Sequence, residues 1–406
     1  MKILLINKFL YPKGGDAIST LNTGKLLSDR GHRVYYWGMR HPQNAYNENE
    51  KYLLNYTDYD KKNGLKQTLK QSINILYSFE AKSKIIQLIK KDKPDIVHLN
   101  NFAHQISPSI LDVFTKYGIP SVMTMHDYKL VCPVYSLYVR GRVCEKCSRK
   151  KFINCFLNKC SKNSYLKSLI NTAEMYLHHS ILHIYDKINL FISPSKFLKN
   201  KLYELGFRGN IVYLPNFVNS EEFIPQYQFY EKTFCYIGRL LSEKGLLTLI
   251  KAMAGLNIEL KIIGDGPIKN MLENRVKDLK LRNIRFLGFK SGNELKGEIA
   301  MSMAVVIPSE WYENNPRSAL EAFALGKPVI GARIGGIPEL VIDNFNGLTF
   351  EPGNHMDLRE KILYLISNSS KIPEMGKNSR KFVTNNFNSS SHYNKLIEIY
   401  NSVLKN

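Results

Sequence analysis

No run of apolar residues in this 406-residue chain reaches the roughly 18 that a membrane-spanning helix requires. The opening stretch, MKILLINKFLYP, is too short in apolar residues for a secretory signal and carries no small-residue cleavage site, so it reads as a first strand. These two absences predict a cytoplasmic protein. The turn after that strand holds Gly14-Gly15 but no G-x-G-x-x-G, which leaves a dinucleotide site poorly supported. No helix-turn-helix or RNP-like stretch is present, so nucleic acid is not the expected partner. No internal repeat is detectable as sequence identity. Acidic residues are scarce: 35 Asp and Glu stand against 57 Lys and Arg, a formal charge of +22. The shortage is uneven. Residues 1–213 hold 33 basic and 15 acidic side chains, net +18, and the remainder holds 24 and 20, net +4. A field concentrated on one half fits a polyanionic partner: a membrane surface, a polyprenyl diphosphate or nucleic acid. The alternative is a solubilising surface, because the lysines are scattered.

What is present is an unbroken alternation of short apolar runs with helical periodicity. That pattern implies parallel sheets covered by helices, and the length exceeds what one core usually supports. The junction is expected near IVYLPNFVN, giving a first domain over 1–213 and a second over 214–385. The amphipathic run Leu65–Lys91 is rich in lysine. It reads either as a membrane-surface helix or as a helix packed inward with its lysines in water.

The most informative stretch is 303–341, MAVVIPSEWYENNPRSALEAFALGKPVIGARIGGIPELV. Met303–Ile307 has the length of a buried strand. Asn315 is placed as an N-cap, with Pro316 opening a helix that stops at Gly326. Pro328–Gly331 reads as the next strand, and after Gly335-Gly336 a second helix is expected to open at Pro338-Glu339. Helix N-termini at the carboxyl edge of a parallel sheet favour phosphate. Glu313 and Glu321, eight residues apart, can accept hydrogen bonds from sugar hydroxyls. Dipoles for phosphate and carboxylates for hydroxyls suit a nucleotide sugar.

The Glu-x7-Glu spacing at Glu313 and Glu321, followed by EAFALGKPVIGARIGGIPEL, resembles the retaining glycosyltransferases of family 4. FCYIGRLLSEKGL strengthens the resemblance, since Arg239 and Lys244 match that family's diphosphate-binding GR-x4-KG pattern. The two cations lie five residues apart across one strand-to-helix turn, where Arg offers a fork and Lys a point charge. The resemblance covers the whole chain in layout and is sharp over 234–341. It implies two Rossmann-like α/β domains facing across a cleft, the GT-B arrangement, with a last helix (386–406) crossing back to the first domain. It also implies transfer of a sugar from a nucleotide diphosphate sugar to an acceptor, with retention. In that reading Glu313 holds donor hydroxyls, Glu321 the ribose, and Arg239 and Lys244 the diphosphate. Asn315, Gly335, Gly336, Gly14 and Gly15 complete the donor site. His126, at the end of the strand PSVMTM, touches the sugar, and His98 and Asn100 line the same edge more weakly. The family needs no metal for its chemistry. A polyprenyl-linked or other glycan in bacterial surface-polysaccharide synthesis is the implied acceptor, which would place the protein on the inner face of the membrane. A GT-B-fold nucleotide-sugar epimerase or phosphorylase is the alternative enzyme. A basic nucleic-acid-binding protein is the alternative of another class.

Five of the six cysteines fall between Cys132 and Cys160, within an insertion expected over 128–164. Cys144, Cys147, Cys155 and Cys160 follow C-x2-C-x7-C-x4-C, a spacing that offers four thiolates to a structural zinc ion. The surrounding lysines and arginines favour thiolate. Free thiols, disulfides and an iron–sulfur cluster are the alternatives.

Overall fold

The computed structural model describes residues 1–44, 48–57 and 72–405. The chain divides into two compact units. One holds 1–137, 145–214 and 393–406, and the other holds 138–144 and 215–392. Residues 138–144 therefore depart from the expected first domain. They form a short hairpin, β5 (Tyr138–Val139) with β6 (Arg142–Val143), that packs with the second unit.

The first unit is built on one parallel sheet: β1 (Lys2–Ile6), β2 (Arg33–Trp37), β3 (Ile96–Leu99), β4 (Ser121–Thr124), β7 (Leu190–Ser193) and β8 (Ile211–Tyr213). Their order is β2-β1-β3-β4-β7-β8. The central strands are buried on both faces, which is why they read as continuous apolar runs rather than as alternation. Helix α1 (Gly15–Asp29) follows β1. Helix α2 (Phe79–Lys91) is capped by Ser78, whose side chain accepts from the Ala81 N–H. It buries Ala81, Ile85, Leu88 and Ile89, so its apolar stripe faces the core and its lysines do not. For Phe79–Lys91 this favours inward packing of the Leu65–Lys91 run, while residues 65–71 lie outside the described residues. Helix α3 (Tyr165–Tyr176) is capped in the same way by Ser164.

The second unit repeats the plan with β9 (Thr233–Ile237), β10 (Glu259–Ile263), β11 (Ile284–Gly288), β12 (Ala304–Ile307), β13 (Val329–Ala332) and β14 (Gly347–Phe350), ordered β11-β10-β9-β12-β13-β14 and all parallel. Strand order reverses between β9 and β12 here, and between β1 and β3 in the first unit. The carboxyl ends flanking such a reversal are where ligands of these sheets bind.

Two expectations about helix starts are corrected. Helix α4 spans Arg317–Ala324 with Pro316, not Asn315, as its cap, and no side chain caps it. Pro316 has an extended ψ of 117°, so the helix starts one residue later than the Asn-Pro pattern implied. The segment after Gly335-Gly336 is a single three-residue 3₁₀ turn, Ile337–Glu339, rather than a helix.

The last helix, α5 (Ser389–Leu404), returns to the first unit from Tyr393 onward. Its buried Leu396, Tyr400 and Val403 join Ile3, Leu5, Ile96 and Val122 in that unit's core. The Tyr400 hydroxyl lies 2.7 Å from His98 Nδ1, and His98 Nε2 lies 2.7 Å from Thr124 Oγ1. His98 is thereby tied into the packing and does not line an open edge.

Candidate functional site

In the second unit the loops leaving β9 and β12, on either side of the strand reversal, are clasped together. Lys244, from the first loop, reaches Glu313, from the second, with Nζ 2.5 Å from Oε1. Ser309 Oγ donates to the same oxygen at 2.6 Å. The Lys244 ammonium also sits 4.9 Å from the Trp311 ring centroid, a cation–π distance. Burial by itself would raise the Glu313 carboxyl, but the Lys244 charge and the hydrogen bonds from Lys244 and Ser309 outweigh it and hold the pKa below the usual carboxylate value. Glu313 is therefore a buried, ionised acceptor.

The backbone around this pair is locked. Gly245 has φ +68°, and a Cβ there would lie 1.8 Å from Pro308 O, so only glycine lets the two loops touch. The Glu310 N–H donates to Glu243 O at 2.9 Å, a second bond between the loops. Gly335 has φ +62°, and a Cβ there would fall 2.3 Å from Glu313 O. The Gly336 N–H donates to that same oxygen at 2.7 Å. The close approach that Gly335-Gly336 permits is thus to the backbone of Glu313, which the glycine pair positions.

Arg239 is exposed at the end of β9, and its carbonyl accepts from the Tyr236 hydroxyl at 2.8 Å. Glu321 lies on α4, paired with Arg317 one turn earlier at 3.2 Å and partly exposed. Asn315 is buried. Its carbonyl accepts from Asn216 at 3.2 Å, while its side-chain oxygen is enclosed without a hydrogen-bond partner. Lys244, Glu313 and Ser309 form one cluster. Three members of this neighbourhood escaped the sequence reading. Ser309 precedes Glu313 by four residues in an irregular loop, which has no periodicity to flag it. Glu310 is held by Thr248 at 2.6 Å and by the Tyr138 hydroxyl at 3.4 Å, pairings too distant in sequence to see. Trp311 carried no spacing signal.

The equivalent edge of the first unit is chemically different. Asn7 Oδ1 accepts from the Asn101 N–H at 2.9 Å across the β1/β3 reversal. His126 Nε2–H donates to Asn100 Oδ1 at 2.9 Å, which leaves Nδ1 as an acceptor. Burial lowers the His126 pKa, partly offset by Asp16 and Asp127, so the ring is neutral. Burial raises Asp127, against the N–H bond it accepts from Lys129. Gly14 caps α1 with extended backbone, and Gly15 opens it with open space where a Cβ would be. Asp16, in the first turn, already puts negative charge at that helix end, which suits a hydroxyl better than a phosphate.

Among the described residues no three His, Cys, Asp or Glu side chains come together as a set that could hold a metal ion. The four-thiolate zinc reading of Cys144, Cys147, Cys155 and Cys160 gains no support from this. Cys147 and Cys155 are instead buried in an apolar cluster with Phe152 and Met175, with Cys160 packed against it. Nor does the basic loop make a thiolate of every cysteine. Burial pushes Cys132 up to about 11, against N–H bonds from Leu137 and Val134.

Among the described residues, no helix is long and apolar enough to cross a membrane. Residues 219–382 match the family described as glycosyl transferases group 1, and residues 13–222 match Glycosyltransferase Family 4. A relative named UDP-Gal:alpha-D-GlcNAc-diphosphoundecaprenol alpha-1,3-galactosyltransferase, from Escherichia coli, is 26% identical over 382 residues, covering 87% of each chain. Among solved structures, sucrose-phosphate synthase from Thermosynechococcus elongatus superposes with a TM-score of 0.76 at 20% identity, covering 100% of this chain and 99% of that one. HepE from Anabaena, solved with UDP-glucose, gives 0.67 at 18% identity over 99% and 100%. Those structural likenesses carry the GT-B fold, and the sequence matches carry the activity class, a glycosyltransferase rather than a nucleic-acid-binding protein. With one family match alone spanning more than half of its residues, the chain belongs to glycosyltransferase family 4.

Proposed function

We propose that this glycosyltransferase moves a sugar from a nucleotide diphosphate sugar to a lipid-linked glycan during surface-polysaccharide synthesis, with retention at the anomeric carbon. The observation that carries the donor half is the Lys244–Glu313 clasp at the strand reversal of the second unit. It puts a cation for phosphate beside a carboxylate for hydroxyls. The bond from the anomeric carbon to the diphosphate oxygen breaks, and a bond to the acceptor hydroxyl oxygen forms on the same face. The hydroxyl proton leaves toward the departing diphosphate. Negative charge grows on that diphosphate in an oxocarbenium-like transition state, and Arg239 and Lys244 are the residues to stabilise it. When the diphosphate competes for Lys244, Glu313 is released to accept from the donor sugar. Glu321 takes the ribose, and neutral His126 takes a sugar hydroxyl through Nδ1. No step calls for a metal ion.

The acceptor half rests on the relative from Escherichia coli, whose name specifies a diphosphoundecaprenol-linked acceptor, and on the +18 charge of residues 1–213. Both point to a peripheral association with an anionic membrane surface. The test is incubation with a panel of nucleotide sugars and a polyprenyl-diphosphate-linked GlcNAc, with product analysis by mass spectrometry and NMR. An α-configured glycosidic product from an α-configured donor supports the reading. Hydrolysis or epimerisation of the donor with no glycoside formed overturns it.

A further inference from the structure

Helix α3 is inside out. Among its residues turned inward are Ser168, Asn171, Thr172 and Glu174, with Met175 alone supplying a large apolar side chain. On its outer side Leu166 is 62% exposed and Leu169 48%, with exposed Tyr165 and Ala173 completing the stripe. A helix in water ordinarily does the reverse, as α2 does. The polar inner face is explained by what it meets. Glu174 is fully buried against Lys129, at 2.7 Å, and His104, at 3.0 Å, and Thr172 donates to Phe152 O at 3.3 Å. Nothing in the core therefore calls for the leucines, and the fold holds them outward.

The short helix before it extends the same surface. Ile153 and Leu157, one turn apart, are 45% and 62% exposed. The two helices are joined by the Phe156 and Tyr165 rings, whose centroids are 5.4 Å apart. Around these apolar side chains the charge is of one sign. Residues 146–173 hold seven Lys and Arg and no Asp or Glu. The Lys159 ammonium rests 4.2 Å from the Tyr165 ring centroid, and Lys162 and Lys167 follow along the same hairpin.

We infer that the hairpin formed by residues 153–176 is the surface by which this protein docks on an anionic lipid bilayer, its leucines entering the headgroup boundary and its lysines pairing with lipid phosphates. Apolar side chains rimmed by Lys and an aromatic ring are the composition of an interfacial helix. A protein partner of matching shape would need acidic groups opposite Lys159, Lys162 and Lys167. A second copy of this chain offers the same cations and is repelled. The inference deepens the membrane reading above and rests on it, but it assigns the contact to this hairpin rather than to the lysines near position 65.

The test is co-sedimentation of the full chain with phosphatidylglycerol–phosphatidylcholine vesicles, at low salt and at roughly 0.5 M salt, where screening shortens the reach of charge. Leu166→Asp with Leu169→Asp should lower the bound fraction at least about tenfold. Lys159→Glu, Lys162→Glu and Lys167→Glu together should do the same at low salt. Lys377→Glu with Lys381→Glu, exposed in the second unit, should leave binding unchanged. Thermal melts should match the wild type, since the altered leucines are exposed. If the wild type binds and the leucine variant binds equally, the docking surface is overturned while the membrane reading stands. If the wild type ignores anionic vesicles, both fall. If the wild type is a dimer without vesicles and the leucine variant a monomer, a second copy covers the face and the inference is overturned.

Discussion

Each unit contains a buried Lys–Glu pair, and the two are built for different work. In the first unit Lys129 and Glu174 meet at 2.7 Å with both side chains sealed from water, and His104 completes the cluster. In the second, Lys244 and Glu313 meet at 2.5 Å, but the lysine side chain is about a fifth exposed and sits in a loop at a ligand-binding edge. The first pair joins the segment after β4 to the polar inner face of α3. In the proposed function, the second holds open a choice between a carboxylate and an incoming phosphate. Removing one partner of a sealed pair leaves an uncompensated charge, whereas an accessible pair can exchange partners.

The largest effect should therefore come from the pair that does no chemistry. Glu174→Gln or Lys129→Met should cost about 3–5 kcal/mol of stability by chemical denaturation, leaving nucleotide affinity unchanged in the folded fraction. A variant as stable as wild type would erase the distinction. Glu313→Gln should act the other way, with turnover falling at least about 100-fold, near 2.7 kcal/mol of transition-state stabilisation, while nucleotide binding stays mostly intact. Full turnover in that variant would remove Glu313 from the chemistry. Next, Arg239→Ala and Lys244→Ala should each weaken nucleotide diphosphate binding by about 1.5–3 kcal/mol in calorimetry, with the unphosphorylated nucleoside bound equally by both. Loss of nucleoside binding as well would point to a collapsed loop instead of a lost phosphate contact.

Acid gives the mildest and most discriminating test. Five histidines of the first unit have a lowered pKa: His32, His104, His126, His178 and His179, the last pushed by burial down to about 3. A depressed histidine is neutral when folded and charged when unfolded below its ordinary value. The stability it permits is therefore full above about pH 6.5 and declines as pH falls below that, by at most about 1.4 kcal/mol per pH unit for each group. Glu174 and Glu313 are depressed carboxyls, and their contributions fade only below about pH 4.5. Between pH 7 and 5 the melting of the first unit should fall while that of the second holds, as resolved by hydrogen exchange. Equal losses in both would contradict the assignment of these histidines as buried and neutral.

Glu313, Lys244 and Arg239 were legible in the sequence because strand, turn and helix punctuation fixes where a loop leaves a sheet, and a parallel sheet has one functional edge. The order of strands was not written anywhere locally, so the meeting of Lys244 with Glu313 across 69 residues was not visible in the sequence. Gly335-Gly336 was legible as a turn and, through the resemblance, as part of the donor site, but not as an approach to the backbone of Glu313. Helical periodicity located the segment that became α2 but was silent on which face turns inward, there as in α3. Thr172 and Glu174 had partners, Phe152 and Lys129, that only the fold supplies. The cysteine spacing was legible as metal-like, yet Cys147 and Cys155 serve an apolar cluster. Spacing alone does not distinguish four thiols that converge from thiols that fill space.

The return of α5 to the first unit also sets an order in time. Apart from the 138–144 hairpin, Met1–Leu214 emerges from the ribosome before the second unit, but Leu396, Tyr400 and Val403 are made after all of it. Until then Ile3, Leu5 and Ile96 lack part of their cover, and His98 lacks its Tyr400 partner. The second unit, continuous apart from its small hairpin, can finish first. The basic unit finishes last, closing a loop of roughly 300 residues, the kind of long-range contact that slows folding. A nascent chain arrested before residue 393 should thus carry a protease-resistant second unit and a first unit that is still open to cleavage.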